Sequence, residues 1–402
     1  MTTIPLSASM GLHGEEDRNG LPCRSQQLRG TMMKISIATL LLGASLFAAP
    51  AMAEQITVGM SAPLSGAQAY FGSTWHNGFK LYVDRLNADG GVNGVTIAYD
   101  QQDDKADPRE GTLVAQKFCD NDKVVLGLVN FNSGVAQSTL PIYEDCTLPT
   151  MTFGSNPSLT KQGYKFMVRP VANDLAGALL PAEYALGKLG AKTAVIVNDK
   201  QVFGQGISEI FAKNFETGGG KVLDTIAVAP SDVDFTAVLA QIKSKKPDAI
   251  YLGAVMPQLA LFAKQMHEQG IAAVLMVPDG GYTPDLIKQA GEANVQGTLV
   301  AIQVPPMDAS PEIADFAKLY KAKYGEEAGP YSIYGYVQGQ ILEQVLKTTK
   351  GLTREDLNAA LHAVKAKTVV GELEFDETGE LKVAPSYLYK VEGTGFHLVG
   401  SK

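Results

Sequence analysis

The chain has 402 residues, 45% of them hydrophobic and 19% charged, with a formal net charge of −8. That length suits two or three domains, and the apolar share excludes wholesale disorder. An acidic chain without a basic run gains little from counterion release, which argues against nucleic acid as a partner, and only one apolar run, near the start, approaches the length of a membrane span.

Residues 1–31 carry Glu15, Glu16 and Asp17, show no hydrophobic periodicity, and read as a non-native upstream extension. Residues 32–53 read as a secretory signal peptide. Met33-Lys34 gives the basic start, 35–49 the apolar stretch, and Ala51-Met52-Ala53 the small-residue cleavage site. A membrane anchor is the alternative, but the run is short and ends at Pro50. Cleavage after Ala53 would leave 54–402 as a periplasmic chain. Of three cysteines, Cys23 falls in the leader. Cys119 and Cys146 then read as a disulfide or as two buried thiols.

Residue 54 opens an alternation of strands and helices. Strands are expected at 56–60, 95–99, 123–129 and 148–153, with helices at 70–87, 108–119 and 133–144 between them. Asp107-Pro108-Arg109-Glu110 supplies an N-cap, a proline for the first turn and a capping-box glutamate. After Arg169-Pro170 the pattern restarts. Helices at 174–189, 204–217, 234–245, 257–268 and 284–290 alternate with strands at 193–198, 221–228, 248–254, 273–277 and 297–303. Short continuous apolar strands alternating with helices predict parallel sheets covered on both faces. Three helices follow, at 311–324, 331–349 and 354–364, then two strands at 371–375 and 387–391 with 376–379 as the turn. A helix followed by a buried strand, seen at 113–127 and again at 238–253, fits two lobes of one architecture. Pro170 and Pro305-Pro306 mark chain crossings between them. The expected lobes are 54–171 with 305–367, and 172–304 with 368–402.

Several catalytic signatures are missing. The chain has no GxSxG elbow, no HExxH and no GxxxxGK[ST]. Gly204-Gln205-Gly206 lacks the third glycine of a dinucleotide fingerprint. None of the histidines is paired at metal-ligand spacing, and Asp103-Asp104 reads as a loop pair. The expectation is a non-enzyme without cofactor or metal. Parallel sheets bind ligands at the carboxyl ends of their strands. Val129 runs into Asn132-Ser133-Gly134, a helix start, and Thr152-Phe153 into Gly154-Ser155-Asn156. Free N–H groups and hydroxyls there suit a carboxylate. Met276-Val277-Pro278 ends in Asp279, which can hold an ammonium. Together they would suit a zwitterion.

Taken in order, five segments resemble the leucine/isoleucine/valine-binding proteins of ABC importers, a branch of the type I periplasmic binding proteins. They are Gly59-Met60-Ser61-Ala62-Pro63-Leu64-Ser65-Gly66, Asn87-Ala88-Asp89-Gly90-Gly91-Val92-Asn93-Gly94, Phe131-Asn132-Ser133-Gly134, residues 198–206, and Pro278-Asp279-Gly280. The resemblance spans nearly all of 54–402 and implies two doubly wound α/β lobes joined by a hinge. It also implies a free amino acid or small zwitterion as ligand, ABC permease subunits as partners, and a monomer. Ser133 matches the serine that holds the ligand carboxylate, Ser155 a head-group contact, and Asp279 an acid, usually Glu, that binds the ammonium. Phe71 and Phe131 match side-chain pocket positions, Phe153 replaces a small residue, and Phe203 replaces a common Tyr. Val255 stands where Tyr is frequent, and Tyr331 is a further lining position. These departures fit either a short amino acid or an aromatic ligand. A small-carboxylate binder and a sensor that presents its closed form to a chemoreceptor are the alternatives.

Overall fold

In the computed structural model residues 54–402 are described, and the readings placed on 1–53 lie outside them. Two sheets organise the chain. The first is built from β1 (Glu54–Ala62), β2 (Val95–Asp103), β3 (Val124–Val129), β4 (Thr150–Thr152) and β5 (Met167–Val168), in the order β2-β1-β3-β4-β5. All its pairings are parallel. The crossovers are α1 (Ala69–Ala88), α2 (Pro108–Cys119) and α3 (Ser133–Asp145). The second half supplies β6 (Thr193–Asn198), β7 (Lys221–Ala227), β8 (Ala249–Gly253), β9 (Val274–Val277) and β10 (Leu299–Ile302). Its helices are α4 (Asp174–Gly187), α5 (Val202–Thr217), α6 (Thr236–Lys245), α7 (Gln258–Glu268), α8 (Pro284–Ala290) and α9 (Glu292–Val295). The last stretch holds α10 (Pro311–Tyr324), α11 (Pro330–Thr348), α12 (Arg354–Ala363), β11 (Lys365–Thr368), β12 (Gly371–Glu374), β13 (Tyr387–Glu392) and β14 (Gly395–Ser401). The second sheet runs β14-β13-β10-β9-β8-β6-β7, parallel through β6–β10 and antiparallel where β13 and β14 join its edge.

Local chemistry explains the boundaries. Asp107 accepts hydrogen bonds from the amides of Arg109 (2.8 Å) and Glu110 (3.2 Å), with Pro108 opening α2. Thr283, Ser310 and Thr353 cap α8, α10 and α12 in the same way. On one face of the first sheet, α1 and α11 approach until backbone meets backbone. A Cβ at Gly78 would stand 1.8 Å from the Ser332 carbonyl oxygen, so only glycine fits. The other face packs Val114, Phe118, Tyr143 and Leu148 into a separate core. There Cys119 and Cys146 are bonded, joining the ends of α2 and α3. Arg354 of α12 donates to the carbonyls of Phe118, Cys119, Asn121, Val124 and Cys146, closing that end of the layer.

Several details differ from the sequence reading, in which β5, α9, β11 and β14 have no counterpart. Strands 371–375 and 387–391 do not pair across the 376–379 turn. Residues 371–374 pair antiparallel with β11, and 387–392 join β10. The turn still forms, with the Gly379 amide on the Asp376 carbonyl and a bridge between Phe375 and Leu381. A lobe boundary at 367/368 therefore cuts through a hairpin. Its strand β11 is tied to α11, where the Gln344 Oε1 accepts from the Lys367 amide at 3.0 Å. The third crossing between the sheets follows β12. Among the described residues no helix is long and apolar enough to cross a membrane.

Candidate functional site

The carboxyl ends of both parallel sheets converge on one region. From the first sheet, β3 leads through Asn130 and Phe131 into α3. Asn132 occupies the N-cap of α3, but its side chain caps nothing and donates instead to Gln68 Oε1 at 2.8 Å. The first-turn amides of α3 thus keep unused donor capacity. Ser133 is buried, and its Oγ accepts from the Asn156 amide at 3.2 Å. Beyond β4, the loop holding Gly154, Ser155 and Asn156 is fixed from below by Arg169. The guanidinium, fully buried, donates to the Gly154 and Asn156 carbonyls at 2.8 Å each and pairs with Glu380. Crossing contacts hold the facing elements together. Asn156 Nδ2 donates to the Val202 carbonyl at 2.8 Å, and Tyr331 Oη donates to the Asp279 carbonyl at 2.9 Å.

Ser133, Phe203 and Val255 line a shared cleft cavity of about 420 Å³, together with Gln68, Asn132 and Gln201. Phe71, Phe131, Phe153 and Tyr331 meet in an aromatic cluster. Phe131 and Phe153 stack at 4.6 Å, Phe71 and Phe131 at 5.8 Å, and Tyr331 lies 4.9 Å from Phe71. Trp75 seals it from below, edge-on to Phe153 at 5.2 Å, its indole N–H on Gln338 Oε1. Asp279 sits at the end of β9, and Tyr331 Oη lies 3.3 Å from its Oδ2. Phe203 stays outside the ring cluster and packs toward the core between α4, α5 and the second sheet. Cys119 and Cys146 lie at the far end of α2 and α3, away from the cleft. Asp103 and Asp104 pin the loop after β2. Asp104 accepts from Ser61 Oγ at 2.8 Å and from the Ala106 amide at 3.0 Å, and Asp103 accepts from the Leu64 amide.

The electrostatics centre on acids. Burial pushes the Asp279 carboxyl up to about 6, against the pull of the Tyr331 hydroxyl. Asp174, the first residue of α4, does not stand out in the sequence as a site residue. It is 1% exposed, and burial raises its carboxyl to about 7 despite a bond from the Ser155 side chain, with Asp279 adding to the rise. Its amide donates to the Ser155 carbonyl at 3.0 Å, while its Oδ2 has no hydrogen-bond partner among the described residues. Tyr251 Oη is likewise unpartnered there, and the charges of Asp174 and Asp279 help push it well above its ordinary value. Asp199, at the cleft wall, is raised to about 6 by burial. The signal that could have found Asp174 is its place, an acid opening a helix four residues after a crossing proline. The cleft cavity is therefore bordered by donors on the first-sheet side, while the ring cluster, Asp174 and Asp279 lie outside the residues that line it, and the charge of Arg169 favours ionised Asp174.

Residues 55–395 match the family described as periplasmic binding protein. The Leu/Ile/Val-binding protein BraC3 of Rhizobium johnstonii is 30% identical over 366 residues, which cover 90% of this chain and 98% of that protein. Among solved structures, the leucine binding protein LivK of Thermotoga maritima superposes with a TM-score of 0.80 at 26% identity, over 86% of this chain and 98% of that one. A solute binding protein of Rhodopseudomonas palustris in complex with 3,4-dihydroxybenzoic acid gives 0.76 at 25% identity, over 87% and 97%.

Proposed function

We infer that this chain, which belongs to the periplasmic binding protein family, captures a free amino acid with a small apolar side chain and delivers it to an ABC permease. One observation carries the reading: the buried Asp174 and the half-buried Asp279 stand near enough for the charge of Asp279 to raise Asp174, beside the anion-binding groups of α3 and Ser155. Two neighbouring carboxylates largely withdrawn from water favour a cation, and the donors of α3 and Ser155 favour an anion. A zwitterion supplies both. The ammonium would sit between Asp279, Asp174 and Ser155, the carboxylate at Ser133 and the first turn of α3. The side chain would meet the aromatic floor of Phe71, Phe131, Phe153 and Tyr331, with Phe203 and Val255 on the opposing wall. Phe131 and Phe153 already stack on each other, which leaves the apolar end short. Relatives named as leucine-, isoleucine- and valine-binding proteins support the same class.

In this reading the elements on each sheet act as lobes, 54–171 with 305–374 and 172–304 with 387–402. They close by rotation about the three crossings. Closure excludes water and strengthens both charge contacts. Export by the 32–53 signal would place the carrier in the periplasm as a monomer. In this reading the protein acts as a carrier, a role supported by relatives and neighbours that are named as binding proteins.

A second reading, an aromatic carboxylate as ligand, is favoured by the ring-built floor and by the dihydroxybenzoate-bound neighbour. Thermal unfolding of ligand-stripped protein against amino acids and benzoates separates them. A ligand at a hundred times its dissociation constant adds about 2.7 kcal/mol. A shift with aliphatic amino acids, abolished in Asp279→Asn, is expected. A shift with benzoates and none with amino acids refutes the ammonium site.

A further inference from the structure

A second cavity, of about 240 Å³, lies at the chain crossings. All three connecting segments line it, through residues 170–172, 303–305 and 383–387. Ile333 and Val337 of α11 and Leu373 of β12 complete its apolar walls. Three uncharged polar groups also line it, the Gln303 amide and the hydroxyls of Tyr334 and Tyr387, together with the Glu372 carboxylate. None of the three side chains makes a hydrogen bond among the described residues, although Gln303 is only 8% exposed and Tyr334 7%. Unpaired within the described residues, these groups are left to solvent, and a few polar groups around an apolar hollow are the usual form of a small-molecule site. Size and charge narrow that partner. A dry cavity of about 150 Å³ is enough to hold benzene, so one substituted ring fits here. No Lys or Arg lines the space while Glu372 does, which disfavours an anion.

We propose that the crossing cavity is a second ligand site, which takes a neutral single-ring molecule bearing a hydroxyl and raises affinity at the cleft. Gln303, Tyr334 and Tyr387 would bond the hydroxyl, and the ring would lie against Val337 and Val304. The coupling follows from α11. Tyr331 and Tyr334 are one helical turn apart. Tyr331 bonds the Asp279 carbonyl, whereas Tyr334 stands edge-on to Phe153 at 5.2 Å on one side and borders the cavity on the other. A ring in the cavity touches all three crossings and stabilises the arrangement in which Tyr331 reaches Asp279. By linkage, each ligand tightens the other by the same factor. Occupation of the cavity stands by itself, whereas the coupling rests on the amino-acid reading of the cleft.

The test titrates phenol into the full protein, by ligand-observed NMR, with and without a saturating amino acid identified by the thermal scan. Saturable binding with a dissociation constant on the order of 1 mM is expected for so small a ligand. It should tighten by about fivefold or more when the cleft is filled. Val383→Trp, at a rim position 73% exposed and tolerant of change, should abolish it by covering the mouth. Asp279→Asn should leave phenol binding intact while removing amino-acid binding. No saturable phenol binding to wild type up to about 10 mM overturns the site. Phenol displaced by the amino acid and indifferent to Val383→Trp also overturns it, and shows the ring in the cleft. Binding that meets both variant criteria without tightening keeps the site and overturns the coupling. An amino-acid scan without any hit refutes the cleft reading alone, since phenol binding and its loss in Val383→Trp are read independently.

Discussion

Lowering the pH should release the ligand, and the extent is calculable from the site. In the unliganded protein burial holds Asp279 at about 6 and Asp174 at about 7. An ammonium between them needs both ionised, so protons compete with the ligand. The apparent dissociation constant then scales as the product of the two protonation factors. At pH 7 these are roughly 2 for Asp174 and 1 for Asp279, and at pH 5 roughly 100 and 11. Affinity should therefore fall roughly 500-fold between pH 7 and pH 5, about 3.7 kcal/mol. If only Asp279 faces the ammonium, the loss is roughly tenfold. Calorimetry of the best amino acid at half-unit pH steps distinguishes the cases. Repeating it at pH 7 in buffers of different ionisation enthalpy should reveal a release of roughly half a proton, mostly from Asp174. Affinity flat between pH 7 and 5, or improving toward acid, would refute the buried-carboxylate argument. The sign for folding is the reverse of the binding trend. Both pKa values are raised above the unfolded value of 3.8. The pair's contribution to the stability of the empty protein is therefore fully present below about pH 4 and lost as the pH rises through about 7.

Tyr331→Phe removes the hydroxyl that favours ionised Asp279, so the acid loss of affinity should begin at higher pH, with binding at pH 7 weakened by about 1 kcal/mol. A pH profile identical to wild type would show that the hydroxyl serves only the Asp279 carbonyl. Arg169→Met leaves Glu380 without its partner and the Gly154 and Asn156 carbonyls without their donor, and should cost about 3–5 kcal/mol in urea unfolding. A loss under 1 kcal/mol would mean that water replaces the guanidinium. The Cys119–Cys146 bond closes a separation of 27 residues, which by chain entropy contributes about 3.5 kcal/mol. The double Ser variant should lose most of this without a change in ligand affinity, because the bond lies away from the cleft.

The layout of strands and helices was legible because each unit is locally self-consistent. Period-2 or continuous apolar runs end at capping residues, as at Asp107-Pro108 and Thr283-Pro284. The places of Ser133 and Asp279, each just past the end of a parallel strand, were legible from the strand pattern itself. What escaped depends on partners far away in the chain. Strand β5 is two residues long and exists because Met151 and Val168 pair beside an already formed sheet. Residues 371–374 alternate like any edge strand, and nothing within them selects β11 over β13 as partner. Asp174 looks like an ordinary acid opening a helix, favourable to the macrodipole and expected in water. Only the assembled structure, which puts Ser155 and the neighbouring Asp279 on it, turns it into a buried charge. The rings of the floor come from α1, the ends of β3 and β4, and α11, so their contact is invisible until the sheet is built.

That dependence on assembly bears on selectivity. The aromatic floor would accept almost any apolar group, because ring surfaces give area without direction. The acids do not share this tolerance. A carboxylic acid without an amine would bring a third negative charge beside Asp174 and Asp279, or force both to take up protons. Near pH 7 that protonation costs Asp279 about 1.4 kcal/mol, given its value of about 6, and Asp174 less than half as much. The larger penalty is the unpaired hydrogen-bonding capacity left at Asp174, whose Oδ2 has no partner among the described residues. Sites that leave buried polar groups unpaired reject analogues far more strongly than apolar pockets reject a misfit methylene. On the proposed site, discrimination would therefore reside in the head group, between ligands with and without an ammonium, and would be weak among aliphatic side chains short enough to lie on Phe131 and Phe153.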